Sequence, residues 1–413
     1  MPILGCIADD FTGASDAASF LQKGGMKVIL YNGIPSASDP VSDADAYVIA
    51  LKSRTQETNQ AVSDSLCALD FLLSRGVSQI YLKYCSTFDS TPQGNIGPIA
   101  DAVMEKLNQP YTILCPALPV NGRTVSHGQL FVNGVPLHES SMKNHPLTPM
   151  WDSRISVLMK DQSQFPCFAI SSELSDAQIF SAISELKQKY PHFYIIPDFV
   201  EPEDAKRLVR LYGALPLLTG GSGLLTELAR RYEDRISSSS AAFAATDGPA
   251  LLLAGSCSQA TLSQIQYYQS LNWSSIKIDP QELVDQKTSA REIWKKITEN
   301  PGKQVLVYTS DTKDAVRRLQ ENNGDLVAGL IEQTLAQLAV LAVQNGYKRI
   351  VVAGGETSGA VTKALYFHGF YIGDSIAPGV PVLIPLEAPD VRLVLKSGNF
   401  GATDFFKTAL EHI

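Results

Sequence analysis

Short apolar runs alternate with helical patterns along the chain. Runs at 3–8, 27–31, 46–51, 79–84, 111–115, 193–197 and 215–219 are continuous enough to read as strands buried on both faces. The stretches between them are amphipathic. In "NQAVSDSLCALDFLLSRG", Val62, Leu66, Leu69 and Leu73 recur at helical spacing on one face. Such alternation predicts parallel sheets covered by helices. The pattern lapses at "RISSSSAAFAATDGPA", which has no periodic apolar face and reads as a linker, with a boundary at 236–248. Strand patterns resume at 250–254, 275–279, 304–308, 349–353, 381–385 and 391–395, with a long helix near 325–345. The expected fold class is α/β, two domains, 1–236 and 248–413, each a mainly parallel sheet flanked by helices.

One segment resists this scheme. Residues 116–150 are rich in turn formers, and "TVSHGQLFVNGVPL" suggests a β-hairpin turning at "NG". Long irregular segments inside compact domains are commonly functional, and this one carries Arg123, His127, Lys143 and His145.

Composition narrows the partners. The 413 residues are 45% apolar and 18% charged, which suits a well-buried globular protein. A net charge of −8 argues against nucleic acid or an anionic membrane as main partner. No run reads as a membrane span, and "MPILGCIADD" lacks the features of a signal peptide. Cys6, Cys67, Cys85, Cys115, Cys167 and Cys257 show no C-x-x-C spacing and read as reduced thiols of a cytoplasmic protein. The histidines form no zinc-like cluster. A homodimer is the base-rate expectation for assembly.

Candidate chemistry sits at strand ends. "IADDFTGASD" ends the first strand on Asp9 and Asp10, beside Gly13. The pair reads equally as a helix cap or as carboxylates facing a ligand at the carboxyl edge of a sheet. "YLKYCSTFDSTPQGNIG" follows Lys83 with Ser86, Thr87, Asp89, Ser90, Thr91 and Asn95, a donor set suited to a small polyhydroxylated acid. Three turns, "LLTGGSGLLTEL", "LLLAGSCSQATLSQI" and "VVAGGETSGAVTKAL", share one design of strand, small residues and helix. Glycine admits close approach and the helix start offers free N–H groups, which suits phosphate, although such turns also occur for conformational reasons alone. The third turn contains Gly355, Glu356, Thr357, Ser358 and Gly359 but is neither a P-loop nor a dinucleotide fingerprint. Glu356 reads as an indirect magnesium or ribose contact, or as a first-turn helix charge. A fourth turn, "LKSGNFGATDFF", places Lys396 beside Gly398, Asn399 and Gly401, a cation toward phosphate or substrate.

These motifs, "IADDFTGASD", "KYCSTFDSTPQGNIGP", "NGRTVSHGQLFVNGVPLHESSMKNHPLTPM", "GSCSQAT", "GGETSGAV" and "LKSGNFGATDFF", together resemble the four-carbon acid sugar kinase family, in order along the whole chain. The resemblance implies transfer of the γ-phosphoryl group of ATP, with Mg2+, to the terminal hydroxyl of 3-oxo-tetronate, threonate or erythronate. It implies an N-terminal domain for the acid sugar and a C-terminal domain for ATP. Nucleotide contacts fall on Ser258, on Glu356, Thr357, Ser358 and Gly359, and on Gly401. Their neighbours Gly355, Gly398 and Asn399 belong to the same turns. Lys83, Asp89, Ser90, Asn95, Arg123 and Lys396 are the expected substrate contacts. Asp10 is the expected proton acceptor, and Asp9 would cap the helix or support magnesium. Two other classes compete. A nucleotide-dependent oxidoreductase would need a dinucleotide fingerprint with its ribose-binding acid in register. A non-catalytic sugar-acid sensor would leave the C-terminal glycine turns unexplained.

Overall fold

The computed structural model describes residues 2–36, 43–144, 148–236, 245–299, 302–309 and 313–413, with backbone only for 313–325. His145 and the central part of the 236–248 linker lie outside the described residues. The chain divides into two compact units, Met1–Ser240 and Ala241–Ile413.

The N-terminal unit is built on β1 (Leu4–Ala8), β2 (Val28–Asn32), β3 (Ala46–Ala50), β4 (Gln79–Lys83) and β5 (Tyr111–Cys115). A meander follows, of β6 (Arg123–Ser126), β7 (Gln129–Val132) and β8 (Val135–Pro136), and then β9 (Cys167–Ile170), β10 (Phe193–Pro197) and β11 (Leu217–Gly220). The main sheet runs β2-β3-β1-β4-β11-β5-β10-β9, and every pairing in it is parallel. β1, β3, β4, β5 and β10 are buried at every position, which is why they read as unbroken apolar runs. The chain leaves β1 toward β2 on one side, and after β3 it crosses to β4 on the other. The carboxyl ends of β1 and β4 therefore flank a topological switch point, where open α/β sheets bind ligands.

The C-terminal unit comprises β12 (Ala250–Ala254), β13 (Ser275–Lys277), β14 (Gln304–Tyr308), β15 (Arg349–Ala353), β16 (Gly369–Ala377), β17 (Val380–Pro385) and β18 (Arg392–Lys396). Its order is β13-β14-β12-β15-β18-β17-β16, with β13 to β18 parallel along that order and β17 and β16 antiparallel. Here too the chain crosses from one side of the first strand to the other, and β12 and β15 flank the switch point. β16 escapes a hydropathy reading because its outer half, from Gly373 to Ala377, is half-buried or exposed.

Three expectations need correction. The helix Thr58–Ser74 buries Ala61, Ser65, Ala68, Leu69 and Leu72, whereas Leu73 is exposed. A Cβ on Gly5 of β1 would lie 2.8 Å from Leu72. Gly5 thus makes room for the Leu72 side chain, which turns the face holding Leu72 and Leu69 onto the sheet. The hairpin is a three-stranded meander with two turns, at His127-Gly128 and at Asn133-Gly134. All four turn residues have positive φ, the conformation that tight turns between antiparallel strands require. His127 thus serves as a turn residue, with its N–H donated to Asp198 at 2.6 Å. Finally, the helix Lys313–Gln344 contains a stretch, Leu326–Gln344, that is long and apolar enough to span a membrane. Leu335, Leu338, Ala339 and Ala342 of that stretch are fully buried within the protein.

Candidate active site

β1 delivers Asp9 and Asp10 to the switch point of the N-terminal unit. Asp10 is the N-cap of the helix Phe11–Lys23, and its Oδ1 accepts the N–H of Gly13 at 2.5 Å. Its Oδ2 lies 2.8 Å from Arg54, which follows β3. The same guanidinium grips Asp9 with two bonds, Nε to Oδ2 at 2.8 Å and a terminal nitrogen to Oδ1 at 2.9 Å. One arginine therefore fixes both carboxylates. The Asp9 side chain is 12% exposed and that of Asp10 is 34%. Burial, then the adjacent Asp9 charge, raise the proton affinity of Asp10 above its ordinary carboxylate value, with Arg54 opposing.

Lys83 ends β4 directly beside Ala8 in the parallel register, and its carbonyl accepts the N–H of Asp9 at 3.0 Å. Its buried ammonium donates to the Tyr84 carbonyl at 3.0 Å. A Cβ on Gly13 would meet Asp10 Oδ1 at 2.7 Å, Lys83 Nζ at 3.3 Å and Asp9 Oδ1 at 3.6 Å. Gly13 is where two carboxylates and an ammonium converge, and only glycine leaves that space open. Asp16, one turn along the helix, accepts the Ser222 hydroxyl.

Asp9, Arg54 and Lys83 border an open recess, lined also by Asp89, Ser90 and Asn95. Asp89 is buried, and its Oδ1 has no hydrogen-bond partner among the described residues. A buried acceptor without a donor is costly unless a ligand supplies one. Asn95, in contrast, is fully engaged. It donates to the carbonyls of Ser53 and Gln56 at 2.7 and 2.8 Å and accepts from Thr58 at 2.9 Å, which holds the loop carrying Arg54. Ser90 donates to Gln162 Oε1 at 3.2 Å. The neighbouring Cys85 thiol is pushed up to about 12 by burial, then by Asp89, so it is no nucleophile. Arg123 lies on β6, bonded to the Asn121 carbonyl, and does not line this recess.

In the C-terminal unit the turns after β12, β15 and β18 come together, because these strands are neighbours. A Cβ on Gly255 would collide with Thr357, one on Gly398 would collide with Ser256, and one on Gly354 would lie 3.2 Å from Ser256 N. Gly354, at φ 134°, starts the helix Gly355–Ala364, whose first N–H groups have no acceptor within the helix. Gly355 and Gly359 face open space, and the buried Ser358 hydroxyl has no partner among the described residues. Glu356 is exposed. Ser258 is the N-cap of the helix Gln259–Ser270 and donates to the Gly398 carbonyl at 2.6 Å. Lys396 is 1% exposed and belongs to this unit, where its ammonium bonds Thr261 and the carbonyls of Ser397 and Gly398. Burial lowers it to about 8, which leaves it a donor at neutral pH. A helix start, open glycines and an orphaned buried hydroxyl together fit a polyphosphate.

Of the residues singled out from the sequence, Asp9, Lys83, Asp89, Ser90 and Asn95 line one recess, whereas Asp10 is not part of its lining and is joined to it through Arg54. Ser258, Gly355, Glu356, Thr357, Ser358, Gly359, Gly398, Asn399 and Gly401 belong to the three converging turns. Arg54 was missed. The rule that singled out Asp9 and Lys83, a charge just past a buried strand, applies to "AYVIALKSR" as well.

Two family models match this chain: a sugar-binding N-terminal domain over residues 4–228 and a nucleotide-binding C-terminal domain over 251–406. A Brucella melitensis protein named 3-oxo-tetronate kinase is 42% identical, over 98% of this chain and 94% of its own. A relative of the same name from Pseudomonas savastanoi pv. phaseolicola is also 42% identical, over 100% of this chain and 97% of its own. Among solved structures, a Haemophilus influenzae protein superposes with a TM-score of 0.86 at 40% identity, over 98% of this chain and 99% of its own. A Salmonella typhimurium LT2 protein described as a putative tRNA synthase reaches 0.91 at 39% identity, with 99% of both chains covered. By full-length identity and by both of its domains, the chain belongs to the four-carbon acid sugar kinase family.

Proposed function

We propose that this chain is an ATP-dependent kinase that phosphorylates the 4-hydroxyl of 3-oxo-tetronate. The observation that carries this reading is 40–42% identity over essentially the full chain to proteins named 3-oxo-tetronate kinase. The N-terminal recess is assigned to the sugar acid and the three C-terminal turns to ATP. ATP, when bound, would supply the phosphoryl group and Mg2+ would neutralise its charge, with Glu356, in the turn after β15, as a carboxylate that could hold the ion through water.

The residues of the chain have distinct tasks in this reading. Lys83 offsets the substrate carboxylate. Asp89 Oδ1 accepts a hydroxyl of the sugar acid, and Ser90 adds a second polar contact. Asp10 accepts the proton of the 4-hydroxyl as that oxygen bonds to phosphorus and the bond to the ADP oxygen breaks. Its raised proton affinity makes it a better base than an ordinary carboxylate. Asp9 and Arg54 hold Asp10 in place. Threonate and erythronate are the competing substrates, since the recess chemistry suits any four-carbon polyhydroxy acid. An ATP-consumption screen with 3-oxo-tetronates, threonates and erythronates of both hands tests the assignment. Highest kcat/KM with a 3-oxo-tetronate supports it; preference for either other acid replaces the substrate.

A further inference from the structure

The turn 397–402 has its carbonyls gathered to one side. Lys396 Nζ donates to the carbonyls of Ser397 at 3.2 Å and Gly398 at 2.9 Å. Ser258 and Thr261 also donate to Gly398, at 2.6 and 2.9 Å. Gln264 Nε2 bonds three more carbonyls, those of Phe400, Gly401 and Ala402, at 3.0, 3.1 and 3.0 Å. Ser258, Thr261 and Gln264 recur every third position, so one edge of the helix Gln259–Ser270 faces the turn. Gln264 is 1% exposed and its own Oε1 has no partner among the described residues. A buried amide with an orphaned oxygen, whose two hydrogens serve three carbonyls, is held there for what its nitrogen does.

In a trans peptide the N–H of one residue points opposite to the carbonyl of the residue before it. Gathering those five carbonyls inward therefore turns the N–H groups of Gly398, Asn399, Gly401, Ala402 and Thr403 outward. Among the described residues, none of these five N–H groups makes a hydrogen bond. A Cβ on Gly398 would collide with Ser256 and one on Gly401, at φ 85°, with the Phe405 ring, so the turn keeps this path only with glycine at both positions. Successive outward N–H groups form a concave receptor for an anion.

We propose that Gln264, with Thr261 and Lys396, is a positioning residue that holds this turn open as a receptor for the phosphate chain of the nucleotide. The proposal rests on the kinase reading for its ligand, but the carbonyl grip stands on geometry alone. Gln264→Met keeps length and apolar volume and removes the donor. The expected result is a KM for ATP raised about tenfold or more, the scale of one or more lost hydrogen bonds. The KM for the sugar acid should stay within about twofold, and kcat at saturating ATP should change little. ADP affinity should fall with ATP, while adenosine, which has no phosphate, should bind the variant as well as the wild type. Unchanged ATP and ADP affinity in a folded Gln264→Met protein overturns the proposal. Equal losses for adenosine and ADP overturn it too, because the turn would then hold the nucleoside. Thr261→Val, nearly isosteric, decides by the same measurements if Gln264→Met does not fold. A wild type that binds ADP but consumes no ATP with any four-carbon acid would instead remove the kinase reading and leave the grip standing.

Discussion

Asp10 does two jobs in the structure, and they separate by substitution. It caps the helix Phe11–Lys23 through Gly13 and it pairs with Arg54. Asparagine caps as well as aspartate, so Asp10→Asn should retain the melting temperature while single-turnover phosphoryl transfer falls roughly 100-fold. Asp10→Ala loses the cap too, and its stability should drop by about 1 kcal/mol. Normal turnover in Asp10→Asn would reduce Asp10 to a cap. The pH dependence has a definite sign. The folded pKa of Asp10 is raised above 3.8, so the native state binds more protons than the unfolded state just above that value. Stability contributed at this position is therefore lost as pH rises from 3.8 through the folded pKa, and Asp10→Asn should lose less stability than wild type over that window. Arg54 opposes the shift. Arg54→Gln should move the acid limb of the kcat/KM profile to higher pH; a limb that stays put would separate Arg54 from the base.

At the scale of elements, two helix starts in the C-terminal unit answer differently to substitution. Ser258 caps its helix, accepting the Thr261 N–H at 3.2 Å, and ties it to Gly398. Ser258→Ala should thus lower stability by about 1 kcal/mol along with ATP affinity. Gly359 sits inside the helix Gly355–Ala364 and faces open space. Valine is no worse than glycine for a helix, so Gly359→Val should leave the melting temperature intact and weaken ATP binding alone. Thermal unfolding and calorimetric titration of both variants check this split; normal ATP affinity in both would remove the turns from the nucleotide site. The strands were legible because burial on both faces leaves an unbroken apolar run. The helix Thr58–Ser74 was read one face off, since periodicity favours the bulkiest stripe, whereas the room left by Gly5 seats Leu72 and turns its face inward. β16 and the His127-Gly128 turn were illegible for a related reason: exposure and tight-turn geometry leave no apolar signal. The site was legible where charge interrupts a strand end, as at Asp9, Asp10 and Lys83. What sequence could not supply is which charges meet, and Arg54 enters only because β3 lies beside β1.

Over the whole molecule, one arrangement occurs twice. In the N-terminal unit the first four strands lie in the order β2-β3-β1-β4; in the C-terminal unit the order is β13-β14-β12-β15. Each unit thus puts its second, third, first and fourth strands side by side, all parallel. Each creates a switch point at the end of its first strand, where ligand recognition is favoured by topology before any side chain is chosen. Side chains then divide the chemistry. Carboxylates, Arg54 and Lys83 occupy the first switch point, and glycines, hydroxyls and helix N–H groups occupy the second. If each unit holds its own ligand, binding should be separable by mutation. Lys83→Met should weaken the sugar acid and spare ATP, Gly359→Val should do the reverse, and the double variant should lose both by the same amounts. Changes at independent sites add to within about 0.5 kcal/mol. Calorimetric titration of each ligand alone, against the four proteins of this cycle, measures the departure. A coupling above about 1 kcal/mol in either binary complex would mean that residues of both units hold a single ligand, and the division of labour between the two switch points would have to be abandoned.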